Sequence, residues 1–355
     1  MPLWTWLFPV LSAALLAVAI VVGAGPLLAL LCAAALIAAV VVAVHHAEVV
    51  AHRVGEPFGT LVLAVAVTVI EASLILSMML AGGEDTKVLA RDTIYAAVMI
   101  ICNGVVGVCV LVGGLAHREQ TFRVEGASAG LAALIAMSAL SLVLPVVTIS
   151  TPGGTYTGGQ LTFAAAASLA LWAVYVFIQT IRHRDYFLPR ADPANPELHA
   201  APPTPREAWT SFALLVVSLV TVVGLAKVLS PSIERGVEAA GVPKAVIGIV
   251  IAMLVLLPET WAAVRAARAN RLQTSMNLAI GSALASIGLT IPAVAIASIV
   301  FGIPLVLGLA AKDLVMLAIT FLVSIVTLGT GRTHMMQGAV HLVLFAAFLF
   351  LSFVP

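Results

Sequence analysis

The chain contains 355 residues, of which 62% are hydrophobic and only 9% are charged. Soluble domains carry roughly 25% charged residues, so this composition excludes a soluble protein and predicts an all-α integral membrane protein. The net charge of +1, without a basic stripe, gives no indication of a nucleic-acid partner, and we expect none. Cys32, Cys102 and Cys109 all lie in apolar runs, and we interpret them as packing residues rather than a disulfide framework.

Apolar runs long enough to cross a bilayer, about 20 residues each, occur eleven times along the chain. The first 44 residues contain no Lys or Arg, so the basic region of a signal peptide is missing and the first run is interpreted as a retained membrane helix. The predicted spans are residues 4–22, 26–44, 57–81, 92–113, 126–147, 159–181, 208–229, 243–265, 275–299, 311–330 and 337–354.

The least membrane-like segment is RHRDYFLPRADPANPELHAAPPTPREAW, residues 182–209, whose prolines and charges are typical of a solvated linker. It divides the remaining spans into two groups of five. The sequence therefore predicts one extra N-terminal transmembrane helix (1–24), a first five-helix repeat (25–181), a linker (182–207) and a second five-helix repeat (208–355).

The distribution of Lys and Arg predicts the orientation, because loops on the cytoplasmic side carry the excess of these residues. Eleven arginines fall on one side of the predicted spans, and six Lys and Arg residues fall on the other. We therefore expect the linker and the N-terminus in the cytoplasm and the C-terminus outside, in the bacterial cytoplasmic (inner) membrane. The six are Lys87, Arg91, Lys227, Arg235, Lys244 and Lys312.

Two carboxylates interrupt otherwise apolar spans. Glu71 lies in PFGTLVLAVAVTVIEASLILSMMLAGG, and Glu259 lies in AVIGIVIAMLVLLPETWAAV. A charge at this depth costs about 2.5 to 3.5 kcal/mol, so such residues usually serve a function. They occupy the third and eighth spans, five apart, and because five is odd the two repeats would have inverted topology. Inverted repeats are typical of secondary transporters whose substrate site lies where the repeats meet.

If Glu71 and Glu259 meet near the membrane centre, burial and mutual repulsion disfavour two negative charges, and at least one carboxyl holds a proton until a cation arrives. Protons and cations then compete for one site, which is the minimum requirement for antiport. Carboxylate oxygens suit hard cations such as Na⁺, K⁺ and Ca²⁺. Pro258 removes a backbone N–H and would free the carbonyl of Leu254 as a further ligand.

Other polar residues in these spans are candidates for completing the ion and proton site. Thr68 lies one helical turn before Glu71, while the remaining candidates lie in neighbouring spans. Each also has a simpler interpretation as a residue that satisfies a local hydrogen bond. The candidates are Thr68, Asn103, Ser282 and Ser286, with Glu56 as a residue that would gather cations at the cytoplasmic entrance.

Three segments resemble ChaA-type cation/proton antiporters of the calcium/cation antiporter superfamily. HHAEVVAHRVGEPFGTLVLAVAVTVIEASLI resembles the first signature, LLPETWAAVRAARANRLQTSMNLAIGSALASIGLTIP the second, and GRTHMMQGAVHLVLFAAF the final helix. The resemblance implies two inverted five-helix repeats that exchange Ca²⁺, Na⁺ or K⁺ for protons, with Glu71 and Glu259 as the site. The related calcium/proton exchangers carry Gly-Asn-x-x-Glu, whereas Thr68 and Leu256 stand at the asparagine positions here.

Alternative functions remain at this point. A passive cation channel would conduct without proton coupling, and an intramembrane aspartyl protease would use a pair of aspartates. A membrane metalloprotein could use His45, Glu48 and His52, which share one helical face beside His46, although a polar interfacial face is the simpler interpretation. His341 could relay protons or simply pack. We expect a secondary antiporter, not an enzyme, with inorganic cations, protons and the lipid bilayer as partners and no cofactor. The sequence does not determine the oligomeric state.

Overall fold

The computed structural model describes residues 2–23, 25–55, 58–81, 87–188, 203–241, 243 and 245–354. These residues form eleven helical segments, which confirms the predicted all-α architecture. They are α1 (Leu3–Val22), α2 (Pro26–Val54), α3 (Phe58–Ala81), α4 (Leu89–His117), α5 (Val124–Val147), α6 (Gly158–Arg182), α7 (Pro205–Ala240), α8 (Ala245–Arg268), α9 (Leu272–Phe301), α10 (Ala311–Leu328) and α11 (Met335–Phe353).

Ten of these helices are long and apolar enough to cross a membrane, counted over the described residues, and α3 contributes the shorter apolar helix Val65–Leu80. Three helices contain a π-helical turn, in which each turn holds an extra residue: Ile100–Val105 in α4, Ala139–Val143 in α5 and Ile178–Arg182 in α6. A short 3₁₀ turn, Arg184–Tyr186, follows α6. Two short strands, β1 (Glu119–Thr121) and β2 (Arg332–His334), pair antiparallel.

Two helices continue well past the apolar runs that predicted them. Helix α2 extends to Val54 and α7 to Ala240, whereas the predicted spans end at 44 and 229. The predicted spans were bounded by the ends of apolar runs, whereas the backbone hydrogen bonds of a helix continue through polar residues of good helix propensity. Helix α7 also begins at Pro205, inside the predicted linker. Residues 189–202 of that linker, and the candidate Glu56, lie outside the described residues.

The chain forms two compact units, each built from both halves of the sequence. The first unit holds α1, α2, α3 and α7, and within it α2 packs most extensively against α7. Helix α1 contains Pro9, which cannot donate to the carbonyl of Thr5 four residues earlier. The Nε2 of buried His46 in α2 lies 2.9 Å from that carbonyl oxygen and supplies the missing donor.

The second unit holds α4 to α6, residues 248–268 of α8, and α9 to α11. Helix α4 is almost entirely buried here, and it packs against α11 along glycines. A Cβ placed on Gly107 would lie 3.1 Å from the Cβ of His341, and one on Gly338 would lie 2.8 Å from the carbonyl oxygen of Gly107. The absence of these side chains lets the two helices approach closely, as small residues commonly do in membrane proteins.

Contacts at the two ends of the second unit show which of its loops lie at the same end. At one end, His117 Nε2 lies 2.9 Å from the carbonyl oxygen of Arg268, and Arg332 pairs with Glu119 between the strands. At the other end, the carbonyl of Lys87 accepts from the N–H of Val306 at 3.0 Å. The loops that follow α4, α8 and α10 therefore lie at one end of this unit, opposite the loop that precedes α4.

Candidate functional site

Glu71 is buried within α3 of the first unit. Its side chain is 2% exposed, and Thr68, one turn earlier on the same face, is 5% exposed. The Oγ1 atom of Thr68 is buried and has no hydrogen-bond partner among the residues that the structure describes. Other buried hydroxyls in the described structure, such as those of Ser138 and Thr290, share this property, so it does not by itself mark Thr68 as an ion ligand.

Glu259 lines a small cavity in the second unit. The cavity is small and partly open, with room for about one water molecule or one bare ion. Two hydroxyl-bearing residues, Thr260 and Ser282, line it together with Glu259. The other lining residues are apolar: Ile101, Val105, Leu256 and Ala279.

Two backbone carbonyls of α8 differ in their relation to Glu259. The helix continues through Pro258, which leaves the carbonyl of Leu254 without its usual intrahelical donor, but Leu254 is not among the residues that line the cavity. Thr260 Oγ1 donates to the carbonyl of Leu256 at 2.6 Å, which orients the hydroxyl lone pairs away from that carbonyl. The carboxylate of Glu259 and the hydroxyls of Thr260 and Ser282 are hard oxygen ligands, suited to alkali and alkaline-earth cations.

The remaining candidates are placed differently. Ser282 lines the Glu259 cavity, and Ser286, one turn further along α9, is buried. Asn103 does not line this cavity: its Nδ2 donates to Thr320 Oγ1 at 2.8 Å, and its Oδ1 lies 3.2 Å from Nδ1 of His341. Glu71 belongs to the first unit and Glu259 to the second, so their pairing stays a prediction.

The histidines near the end of α2 have packing roles. His45 is half-buried with its ring centroid 5.0 Å from that of Trp4, and His46 is bonded to the backbone of Thr5. Glu48 and His52 are exposed. Within the described ranges, no three His, Cys, Asp or Glu residues are arranged to hold a metal ion, so the metalloprotein alternative gains no support.

Sequence reasoning missed two features of the second unit. Thr260 follows Glu259 directly, and its place on the cavity wall could have been inferred from that adjacency. The π-helical turn of α4 places Ile101 and Val105 on the same wall. Its only sequence signal is the pair Asn103 and Gly104, two residues of poor helix propensity inside an apolar span, and that signal does not by itself specify a π-helical turn.

The described structure is thus a multi-pass helical membrane protein with a carboxylate-lined cavity at a spanning helix, which is the general form of a secondary transporter. Residues 24–181 and 210–354 match the family described as sodium/calcium exchanger protein. The chain belongs to this family. Its members are transporters, so the protein is a cation antiporter and not an enzyme, the cations are its substrates, and the family has no known cofactor.

Three comparisons illustrate the relationship. The chain is 47% identical over 357 residues to the putative ionic transporter y4hA of Sinorhizobium fredii, with 100% of this chain and 97% of the relative covered. It is 34% identical to the sodium-potassium/proton antiporter ChaA of Escherichia coli, covering 87% and 84% of the two chains. A crystal structure of the Ca²⁺/H⁺ antiporter protein YfkE superposes with a TM-score of 0.73 at 18% identity over 99% of each chain, which confirms the fold.

Proposed function

We propose that the protein exchanges a metal cation for protons across the cytoplasmic membrane, with Glu71 and Glu259 as the shared proton and cation site. The observation that carries this proposal is the Glu259 cavity, where one carboxylate and the hydroxyls of Thr260 and Ser282 surround a space of ionic size. In the other unit, buried Glu71 lies beside the unsatisfied hydroxyl of Thr68.

The exchange follows from the cost of burying charge. An ionised carboxylate in an apolar surrounding is destabilised, so it either binds a proton or neutralises its charge with a bound cation. Both ligands occupy the same oxygens, and arrival of one therefore expels the other. With two carboxylates, two protons balance one divalent ion, whereas a monovalent ion replaces one proton.

Thr68, Ser282 and Ser286 would supply further oxygens to the ion, while Asn103 would act indirectly because its amide is bonded to Thr320 and His341. Glu56 would gather cations at the cytoplasmic entrance. Na⁺, K⁺ and Ca²⁺ are the candidate cations. One relative is named a sodium-potassium/proton antiporter, and another, 24% identical, is named a Ca(2+)/H(+) antiporter.

Two inverted repeats, residues 25–181 and 208–355, would bring the two glutamates to equivalent positions. The family matches the chain in two segments, one on each side of the linker, which supports two copies of one unit. The Arg-rich loops after α4 and α8 share one end of the second unit, and α11 begins at that end, which supports an outside C-terminus. The cytoplasmic N-terminus rests on the distribution of Lys and Arg along the sequence. Alkaline phosphatase fused after residue 354 should be active outside the cytoplasm, and an inactive but expressed fusion would contradict this orientation.

The exchange is tested in liposomes that contain the purified protein, an imposed pH gradient and an internal pH dye. Addition of Na⁺, K⁺ or Ca²⁺ to the wild type should collapse the gradient, and the initial rates rank the cations. Glu71→Gln and Glu259→Gln should each abolish the cation-dependent rate, because an amide can neither hold the exchanged proton nor balance the charge.

Glu125→Gln is the matched control, since Glu125 is exposed in the first turn of α5 and the same chemical change is made there. It should transport like the wild type. A gradient that survives all three cations with folded wild-type protein would refute the exchange. Full activity in either folded glutamine variant would remove that residue from the site.

A further inference from the structure

A buried chain of polar side chains joins three helices of the second unit behind the Glu259 cavity. Its members are Asn103 and Met99 of α4, Thr320 and Thr327 of α10, and His341 of α11. Asn103, Thr320 and His341 are each 0% exposed, and Thr327 is 2% exposed. The function proposed above gives Asn103 only an indirect part and leaves the part of His341 unspecified, although the polar atoms of the cluster lie within spanning helices where unsatisfied groups are costly.

The donor and acceptor atoms of this cluster define a direction for each of its hydrogen bonds. Met99 Sδ only accepts, so Thr320 Oγ1, 3.5 Å away, donates to it. Thr320 Oγ1 then accepts from Asn103 Nδ2 at 2.8 Å, which leaves Asn103 Oδ1 as the acceptor for His341 Nδ1–H at 3.2 Å. The opposite ring atom, His341 Nε2, accepts from the hydroxyl of Thr327 at 3.0 Å.

This direction makes His341 neutral, with its proton on Nδ1. Both ring nitrogens are satisfied in that state. The backbone carbonyl of Cys102, in the same π-helical turn as Asn103, also accepts a hydrogen bond from the ring. Over the described parts of the chain, no Asp, Glu, Lys or Arg interacts with the ring to stabilise an added charge. His341 is therefore suited to holding Asn103 and unsuited to carrying a transported proton.

Asn103 lies in the middle of the π-helical turn Ile100–Val105. Ile101 and Val105 of the same turn line the Glu259 cavity, while Asn103 is bonded to α10 and α11. π-Helical turns are rare and occur frequently at functional sites. Conversion of this turn to a regular α-helix would shift the helical register by one residue on one side of the turn. The residues on that side would then rotate by about 100° relative to the other side.

We propose that His341 is a positioning residue for ion binding: through Asn103 it holds the π-helical turn of α4, and the turn sets the wall of the Glu259 cavity. This inference rests on the proposed exchange function. Loss of the Nδ1–H donor releases Asn103, relaxes the turn and displaces Ile101 and Val105. The cavity then fits the cation less well, although no ligand of the ion has been removed.

Three variants separate this role from packing and from proton relay. His341→Asn keeps a donor attached to Cγ, at the place of Nδ1, and His341→Gln places its amide further out, near Nε2. His341→Leu retains apolar bulk without any donor. Rates of cation-dependent proton movement are measured in liposomes against cation concentration and pH, and thermal unfolding reports whether each variant is folded.

We expect His341→Asn to match the wild type in apparent KM and in pH profile. His341→Leu and His341→Gln should raise the apparent KM for the cation about tenfold, equivalent to about 1.4 kcal/mol, with Vmax changed less than about twofold. Asn103→Leu should raise KM similarly, and the double variant Asn103→Leu/His341→Leu should be no worse than either single variant, because both act through one contact.

Several results would overturn the proposal. A wild-type KM in folded His341→Leu would show that the contact does not shape the cavity. A wild-type KM in His341→Gln but not in His341→Asn would show that the ring donates from Nε2 and not from Nδ1. A changed pH profile in His341→Asn would show that His341 carries a transported proton. If the wild type moves no protons with any cation, the exchange function fails instead, and the order of thermal stability, with Asn above Gln, still tests the hydrogen-bond chain.

Discussion

The close contact between α4 and α11 gives a quantitative prediction for Gly338→Ala. The new Cβ would lie 2.7 Å from Leu111 Cα and 2.8 Å from the carbonyl oxygen of Gly107, and it would also collide with the backbone nitrogen of Leu111. These are backbone atoms, so no side-chain rotation relieves the clash. To reach an ordinary contact of 3.4 Å from 2.7 Å, the two helices must separate by at least about 0.7 Å, and the nearer backbone nitrogen of Leu111 requires more.

Separation of the helices has two costs. Overpacking of this kind costs about 1 to 3 kcal/mol. The same movement stretches the 3.2 Å contact between Asn103 and His341 beyond hydrogen-bond range, which adds about 1 kcal/mol. The better helix propensity of Ala stabilises the helix by about 1 kcal/mol and offsets part of this loss. We therefore expect a net loss of about 1 to 3 kcal/mol of stability.

Thermal unfolding in detergent measures this loss. Cys32, Cys102 and Cys109 are buried free thiols, so a thiol-reactive fluorescent dye reports their exposure as the protein unfolds. Gly236→Ala is the matched control, because Gly236 also lies inside a helix and a Cβ there meets nothing within 4 Å. We expect Tm to fall by about 2 to 4 °C per kcal/mol for Gly338→Ala and to stay level or rise for the control. Equal shifts in the two variants would refute the packing argument.

The first unit and the strand pair give two further predictions, checked by the same thermal assay. His46→Leu removes the donor to the Thr5 carbonyl and should cost about 1 to 2 kcal/mol of stability. In the Pro9→Ala background, residue 9 regains its N–H, so the same change should cost clearly less. Equal costs in both backgrounds would contradict the contact. Gln120→Ala should cost about 1 to 2 kcal/mol because buried Nε2 of Gln120 donates to the carbonyl of Ala267 and to Asn270 Oδ1. Glu119→Ala, in the same strand, removes only an exposed ion pair of 3.5 Å to Arg332 and should cost less than about 1 kcal/mol; a larger loss than for Gln120→Ala would reverse this ranking.

The sequence by itself determined the class of the protein and the number of its helices. The lengths of apolar runs and the positions of isolated charges are local quantities, and the free energy of transferring them from water to lipid depends little on tertiary contacts. The isolation of Glu71 and Glu259 in apolar spans could be read in the same way. The helix ends at Val54 and Ala240 could not, because helices continue beyond the membrane wherever the backbone can keep its hydrogen bonds.

Only the tertiary structure decided which polar residues meet. Asn103 and Ser282 looked equivalent as polar residues within spans, yet Ser282 lines the Glu259 cavity and Asn103 is bonded to Thr320 and His341, more than 200 positions away along the chain. That outcome depends on the close approach of α4 and α11 at Gly107 and Gly338 and on a π-helical turn in α4. A side chain's direction changes by about 100° with each residue of helix register, so polar partners are chosen by packing and not by composition.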